Sequence, residues 1–280
     1  MDCADNRSAS HVGSAALCND LRGPLPWNML TLGLALGLAL AAALPAQDAA
    51  PNPLPMSVVF SVRWEGELPP APAAVRLDPA WKERNPAEAK LCGKCAEEGR
   101  LVDESLLVDD KSRGIAHVAI SLLGLVGPLD ALREPLLDNK DCRFEPRVLF
   151  AATGHGLRVR NSDPFAHTAR LSDGAGNLLW NAMLTTTDPV VTKPFVRSGT
   201  YQVLCDMHPW MKSHVIATRH PFVVVSGKDG LGTIAGVPAE LPELSFVAWH
   251  EKLGTARGTL KTKPGGRVET SLDQRAFKRR

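Results

Sequence analysis

Gly199–Thr218 reads GTYQVLCDMHPWMKSHVIAT. Its two ends, GTYQVL and SHVIAT, have the short alternating pattern of β-strands. Between them, Cys205-Asp-Met-His208-Pro-Trp-Met211 packs a thiol, an imidazole and a thioether into seven residues. A strand ending at Cys205 brings the sulfur to the edge of a sheet, and His208 and Met211 can then curl back around the same point. Pro209 restricts the loop and lowers the cost of ordering it. Taken singly, Cys205 is a small buried hydrophobe, His208 a surface residue and Met211 core filler. At C-x2-H-x2-M spacing after a strand, they read as three ligands of a metal site.

The rest of the chain repeats the strand-and-turn pattern. Ser57–Trp64, Gly114–Leu123, Arg147–Ala152, Gly156–Asn161, His167–Leu171 and Val190–Phe195 read as short strands, as do Pro221–Ser226 and Leu244–Trp249. Glu65–Ala74 is Pro-rich loop, and Asp138–Arg147 reads as a charged loop around Cys142. From Gly254 a last strand precedes a basic end. Gly 23 and Pro 22 are spread without a repeat, which suits turns between strands. No long amphipathic helix is expected. The fold class is all-β, a sandwich.

A fourth ligand has to come from elsewhere. His167, in the turn Asn161-Ser-Asp-Pro-Phe-Ala-His167, is the best placed, at the end of another strand. A thiolate, two imidazoles and a weak thioether make the trigonal copper site of electron-transfer proteins. Zinc is the rival, but no second Cys lies near Cys205 for a zinc knuckle. A net charge of +2 and a single Tyr give no footing for nucleic acid. No phosphate loop, paired carboxylates or Ser/His/Asp set stands out, so no catalytic residue and no enzyme activity are expected.

Met29–Leu44 is sixteen residues without a charge. It is short for a membrane span and suits a signal-peptide core, with Leu44-Pro45-Ala46 as a cleavage site. Residues 1–46 are read as a leader and 47–55 as a linker, which makes the protein exported, periplasmic or extracytoplasmic. It stays on a membrane only if the leader is uncleaved. Cys92, Cys95, Cys142 and Cys205 then remain. With Cys205 on a metal, Cys142 pairs with either Cys92 or Cys95 and one thiol is left over. CGKC lacks the following His of a haem attachment and the βαβ setting of a thioredoxin motif. His220 and His250 read as hydrogen-bonded structural residues, His155 and His214 as weaker candidates still, and His117 as a strand-face residue.

CDMHPWM with upstream His167 resembles the cupredoxins, and its ligand loop is as short as that of amicyanin. Asn139–Pro146 (NKDCRFEP), NSDPFAH, HPF at His220–Phe222 and WHEKLG at Trp249–Gly254 resemble exported plastocyanin-like proteins of the methylamine-utilisation type. The resemblance spans about Ser57–Gly254. It implies a Greek-key sandwich over 56–219 and one type 1 copper that carries single electrons between transient redox partner proteins. It makes His167, Cys205 and His208 equatorial ligands and Met211 the axial one, supported by Thr168 and Asn161. Relatives usually have Asn where Thr168 stands, and often His where Arg147 stands. His208 is expected nearest the surface, with Pro209 and Trp210 as an apolar docking patch. Pro221–Trp249 loosely resembles a transthyretin-like or carboxypeptidase-regulatory module, read as a β extension over 220–275 with a basic tail at 276–280. The alternatives are a copper carrier or sensor that does not cycle, and a metal-free carbohydrate- or protein-binding sandwich in which Cys205 pairs with the leftover Cys. A fragment of a copper oxidase or nitrite reductase lacks its further His-rich motif.

Overall fold

The computed structural model describes residues 54–185, 188–263 and 265–279. The expected leader, and the linker up to residue 53, lie outside them. Sixteen strands and two α-helices follow in order: β1 Met56–Arg63, α1 Pro79–Arg84, α2 Pro86–Glu97, β2 Ala119–Leu122, β3 Leu136–Lys140, β4 Arg143–Glu145, β5 Val148–Ala152, β6 Arg158–Asn161, β7 His167–Ser172, β8 Leu178–Leu184, β9 Val190–Val191, β10 Gly199–Leu204, β11 Lys212–Thr218, β12 Val223–Val225, β13 Leu231–Val237, β14 Glu243–His250, β15 Gly254–Lys261 and β16 Arg267–Asp273. The protein is all-β, as the strand pattern predicts.

Four sheets form two sandwiches. In the first, a five-stranded sheet ordered β5-β11-β10-β7-β8 faces a four-stranded sheet ordered β4-β3-β6-β9. Leu137, Leu149, Leu157, Val159, Leu171 and Val215 fill the space between them. The second sandwich joins β13-β1-β16 to β12-β2-β14-β15, around Phe60, Ile120, Ile234 and Phe246. Ala119, Val148 and Phe150, with Ile216, Val223 and Trp249, then pack one sandwich onto the other. This explains why β2 and β5 are buried at every position: each has protein on both faces, so hydrophobic runs replace alternation.

β1 and β2 precede the first sandwich in the chain, yet they pair with β13, β16, β12 and β14 from its far side. The boundary expected near residue 219 therefore runs through two sheets. The segment carrying the first sandwich is flanked on both sides by strands of the second.

Local expectations differ in several places. Asp138–Arg147 is a hairpin, not a loop: β3 and β4 pair up to Lys140↔Arg143. Its turn places Asp141 and Cys142 in the left-handed region, at φ 54° and 57°. The strand expected over Val190–Phe195 shrinks to two residues. The tail contains two strands rather than one. The largest difference is α1–α2. Asp78 caps α1 by accepting from Trp81 N–H, and a Pro opens each helix. These are readable start signals, but α1 buries no residue and α2 only Cys92, Gly93 and Cys95, so no apolar stripe marks them.

Candidate metal centre

Two adjacent antiparallel strands deliver the first two side chains. In β10, Tyr201 and Val203 face the core, and the same alternation carries Cys205 inward just past the strand end. In β7, His167, Ala169 and Leu171 face the core. β10 pairs with β7 through Leu204↔Arg170, which brings Cys205 level with the start of β7. The loop of residues 205–211 closes the β10–β11 hairpin. Met211 N–H donates to His208 O at 2.9 Å, and Cys205 N–H to Met211 O at 3.3 Å.

His167, Cys205 and His208 converge, with one potential ligand atom from each within 4.8 Å of the others. Nδ1 of His167 lies 3.1 Å from Nδ1 of His208, and Cys205 Sγ lies 3.8 and 3.6 Å from those two nitrogens. Metal–nitrogen bonds of about 2.0 Å and metal–sulfur bonds of about 2.3 Å leave trigonal ligand atoms about 3.5–3.8 Å apart, so the spacing fits one small cation. The chemistry of the set agrees. Nε2 of His167 donates to Asp163 Oδ2 at 2.8 Å, which turns Nδ1 toward Cys205 and His208. Met211 is buried in the same core cluster as Cys205.

Electrostatics favour the thiolate. Burial acts to raise the Cys205 thiol, but hydrogen bonds with His167, His208 and Thr168 outweigh it and bring it down to about 5. Burial likewise acts to lower His167, yet its bonds to Asp163 and Cys205 hold it above its ordinary value. A lowered thiol beside a raised imidazole is what a thiolate–imidazolium pair produces, each charge stabilising the other.

The supporting residues are built into the same strands. Thr168 backbone N–H points at Cys205 Sγ at 3.4 Å, and its hydroxyl lies 3.7 Å from the same sulfur. That hydroxyl also accepts from Asp206 N–H at 2.7 Å, so Thr168 ties the two loops together. Asn161 donates to Phe165 O and Leu184 O and accepts from Asp163 N–H, which fixes the turn leading to His167. Asp163, not singled out in the sequence, also receives Asp141 N–H at 2.7 Å and Cys142 N–H at 3.0 Å. Its signal is position alone: the acidic residue four before a candidate ligand His.

Cys92 bonds to Cys142, while Cys95 and Cys205 are both free. The pairing of Cys205 with the leftover cysteine does not form, because Cys95 lies in a separate cluster with the disulfide.

His208 is not nearest the surface. It is 0% exposed, beneath Trp81 of α1, Trp210 and Phe165. Trp210 is half-buried, with its indole N–H donating to Cys142 O at 3.0 Å, and only Pro209 is exposed. The unforeseen helices lie over the loop that was expected to be open.

Among the described residues, the other histidines stay apart from this cluster. His220 bonds Ser121, and His250 Nδ1 accepts two backbone N–H groups. His214 bonds Glu251, which also pairs with buried Arg147. His117 borders a cavity with Glu104 and Arg143. Arg147 is thus an ion-pair residue and supplies no ligand.

No family model matches the chain, and no curated protein matches it. Among solved structures, 30% of this chain aligns with 99% of a purple cupredoxin from Nitrosopumilus maritimus, at 22% identity and a TM-score of 0.27. The Cu(I) form of an amicyanin mutant aligns over 35% of this chain and 98% of its own, at 17% identity and a TM-score of 0.28. A copper-containing nitrite reductase from Thermus scotoductus SA-01 aligns over 34% of this chain and 24% of its own, at 21% identity and a TM-score of 0.28.

Proposed function

We propose that this protein binds one copper through His167, Cys205 and His208, with Met211 as a weak fourth ligand, and that it carries single electrons between exported partner proteins. A bound copper supplies one-electron chemistry by cycling between Cu(I) and Cu(II). The observation that carries the reading is the convergence of one thiol and two imidazole nitrogens in a buried pocket, with a hydroxyl and an N–H directed at the sulfur.

The chain's own contribution is preorganisation. Cys205 and His167 stand on adjacent strands of one ladder, and His208 is held by backbone bonds that close its loop. Ligands fixed this way move little when the charge between them changes, which keeps the cost of gaining or losing an electron small. The burial of all three keeps water out. The second sandwich, with the transthyretin-like segment, is proposed as a packing or binding module without catalytic residues, and residues 1–46 as an export leader.

Metal analysis after copper loading and desalting tests the binding step: a single retained copper per chain is expected, and none in Cys205→Ser. Reversible one-electron voltammetry of the loaded protein separates an electron carrier from a copper carrier or sensor, which would hold the metal without a reversible wave.

A further inference from the structure

His208 lies under a lid that the chain builds from elsewhere. Its ring meets Trp81 at 5.6 Å and Trp210 at 5.2 Å, both edge-on, and Trp81 meets Trp210 at 5.5 Å. His208 Nε2 is buried and has no hydrogen-bond partner. An imidazole nitrogen deprived of both water and a polar partner costs free energy, so something must hold the aromatic cover in place.

The holding contacts are few. α1 buries none of its own residues and meets the protein mainly through Trp81, which is itself partly exposed. α2 is fastened by the Cys92–Cys142 disulfide, and its end by the ion pair Arg100–Asp141 at 3.1 Å, about one-third exposed on each side. An exposed pair of that kind contributes little. What remains is a small apolar cluster around Cys92, Cys95, Leu101 and Cys142. A segment with so few buried contacts belongs to the part of a protein that opens first.

The disulfide also lands at a particular place. Cys142 gives its N–H to Asp163, which stands behind His167, and its carbonyl receives the indole N–H of Trp210 beside His208. The latch, the cover and both ligand loops therefore meet at one residue.

We propose that the α1–α2 hairpin is a disulfide-latched cap that governs access to His208, with Trp81 as the residue that shields the imidazole. Anything that approaches the site from this side, whether a chelator or an electron-transfer partner, meets Trp81 and Pro209 before it meets the ring. The consequence for copper rests on the proposed function; the shielding itself does not.

The test uses the full chain without metal. Diethyl pyrocarbonate acylates accessible imidazoles, and peptide mass mapping gives the rate at each histidine. Trp81→Ala should speed acylation of His208 by at least about tenfold, Trp81→Phe should stay near the parent rate, and His250, which is 1% exposed in the second sandwich, should remain protected in both. Treating the parent protein with a dithiol breaks the S–S bond, gives two thiols and converts the dithiol to its own disulfide; His208 should then react faster as well. The Cys92→Ser/Cys95→Ser double variant leaves Cys142 without a partner and should match the reduced protein. If W81A exposes His250, that variant has lost its fold, and the reduced protein and the double variant decide. Unchanged acylation of His208 in these, with His250 protected, overturns the cap. A protein that takes up no copper but shows this pattern refutes the metal reading and leaves the cap standing.

Discussion

The hydroxyl of Thr168 accepts from the N–H of Asp206 at 2.7 Å and lies 3.7 Å from the sulfur of Cys205, so one side chain joins the two strands that carry the candidate ligands. Thr168→Val keeps the shape and removes both contacts. It should lower stability by about 1 kcal/mol, the net worth of a typical hydrogen bond. It should also raise the pKa of Cys205 above the parent value of about 5. Denaturant unfolding and thiolate absorbance against pH, on the metal-free protein, read the two effects. An unmoved titration would remove Thr168 from the site.

Asp163 holds both sides of the first ligand's setting. Its side chain is 3% exposed and bonds His167 Nε2, Asp141 N–H and Cys142 N–H. Asp163→Asn preserves volume but loses the charge-assisted acceptor. Copper affinity should fall by about 10- to 100-fold, as it does when a ligand's orienting carboxylate is lost. Competition against a chelator of known affinity measures it; an unchanged affinity would mean that the strand alone aims His167.

Acid should weaken the second sandwich. Burial pushes His117 and His250 down to about 4, so at mildly acidic pH the unfolded chain binds protons that the folded chain excludes. Their stabilisation is complete above their ordinary value near 6.5 and is lost as pH falls toward 4, by about 3 kcal/mol each at most. Burial would raise Glu251, but the His214 hydrogen bond and the Arg147 charge outweigh it and hold it near 2, so its contribution disappears from about 4.5 downward. Unfolding free energy should therefore decline in two stages. In His250→Gln the first stage should shrink; an identical pH profile would count against this assignment.

The sandwich, and the meeting of His167, Cys205 and His208, were legible because they rest on local pattern. Alternation in GTYQVL sets the inward face of Cys205, and the loop spacing sets His208 and Met211. The cap was not legible. α1 and α2 carry only cap residues as markers, and Trp81 gains its role from contact with His208, far along the chain. The same holds for β1 and β2, whose sequence reads as strand but cannot reveal that its partners lie beyond the first sandwich. β8 escaped notice because it is an exposed edge strand whose first two residues, both Leu, break the alternation.

The central claim is that Cys205 and two histidines hold one copper, and the visible spectrum of the copper-loaded protein tests it most directly. An intense thiolate-to-copper charge-transfer band is predicted, abolished by Cys205→Ser and kept in Cys92→Ser. A loaded protein with only the weak absorption of copper bound by nitrogen and oxygen would contradict it.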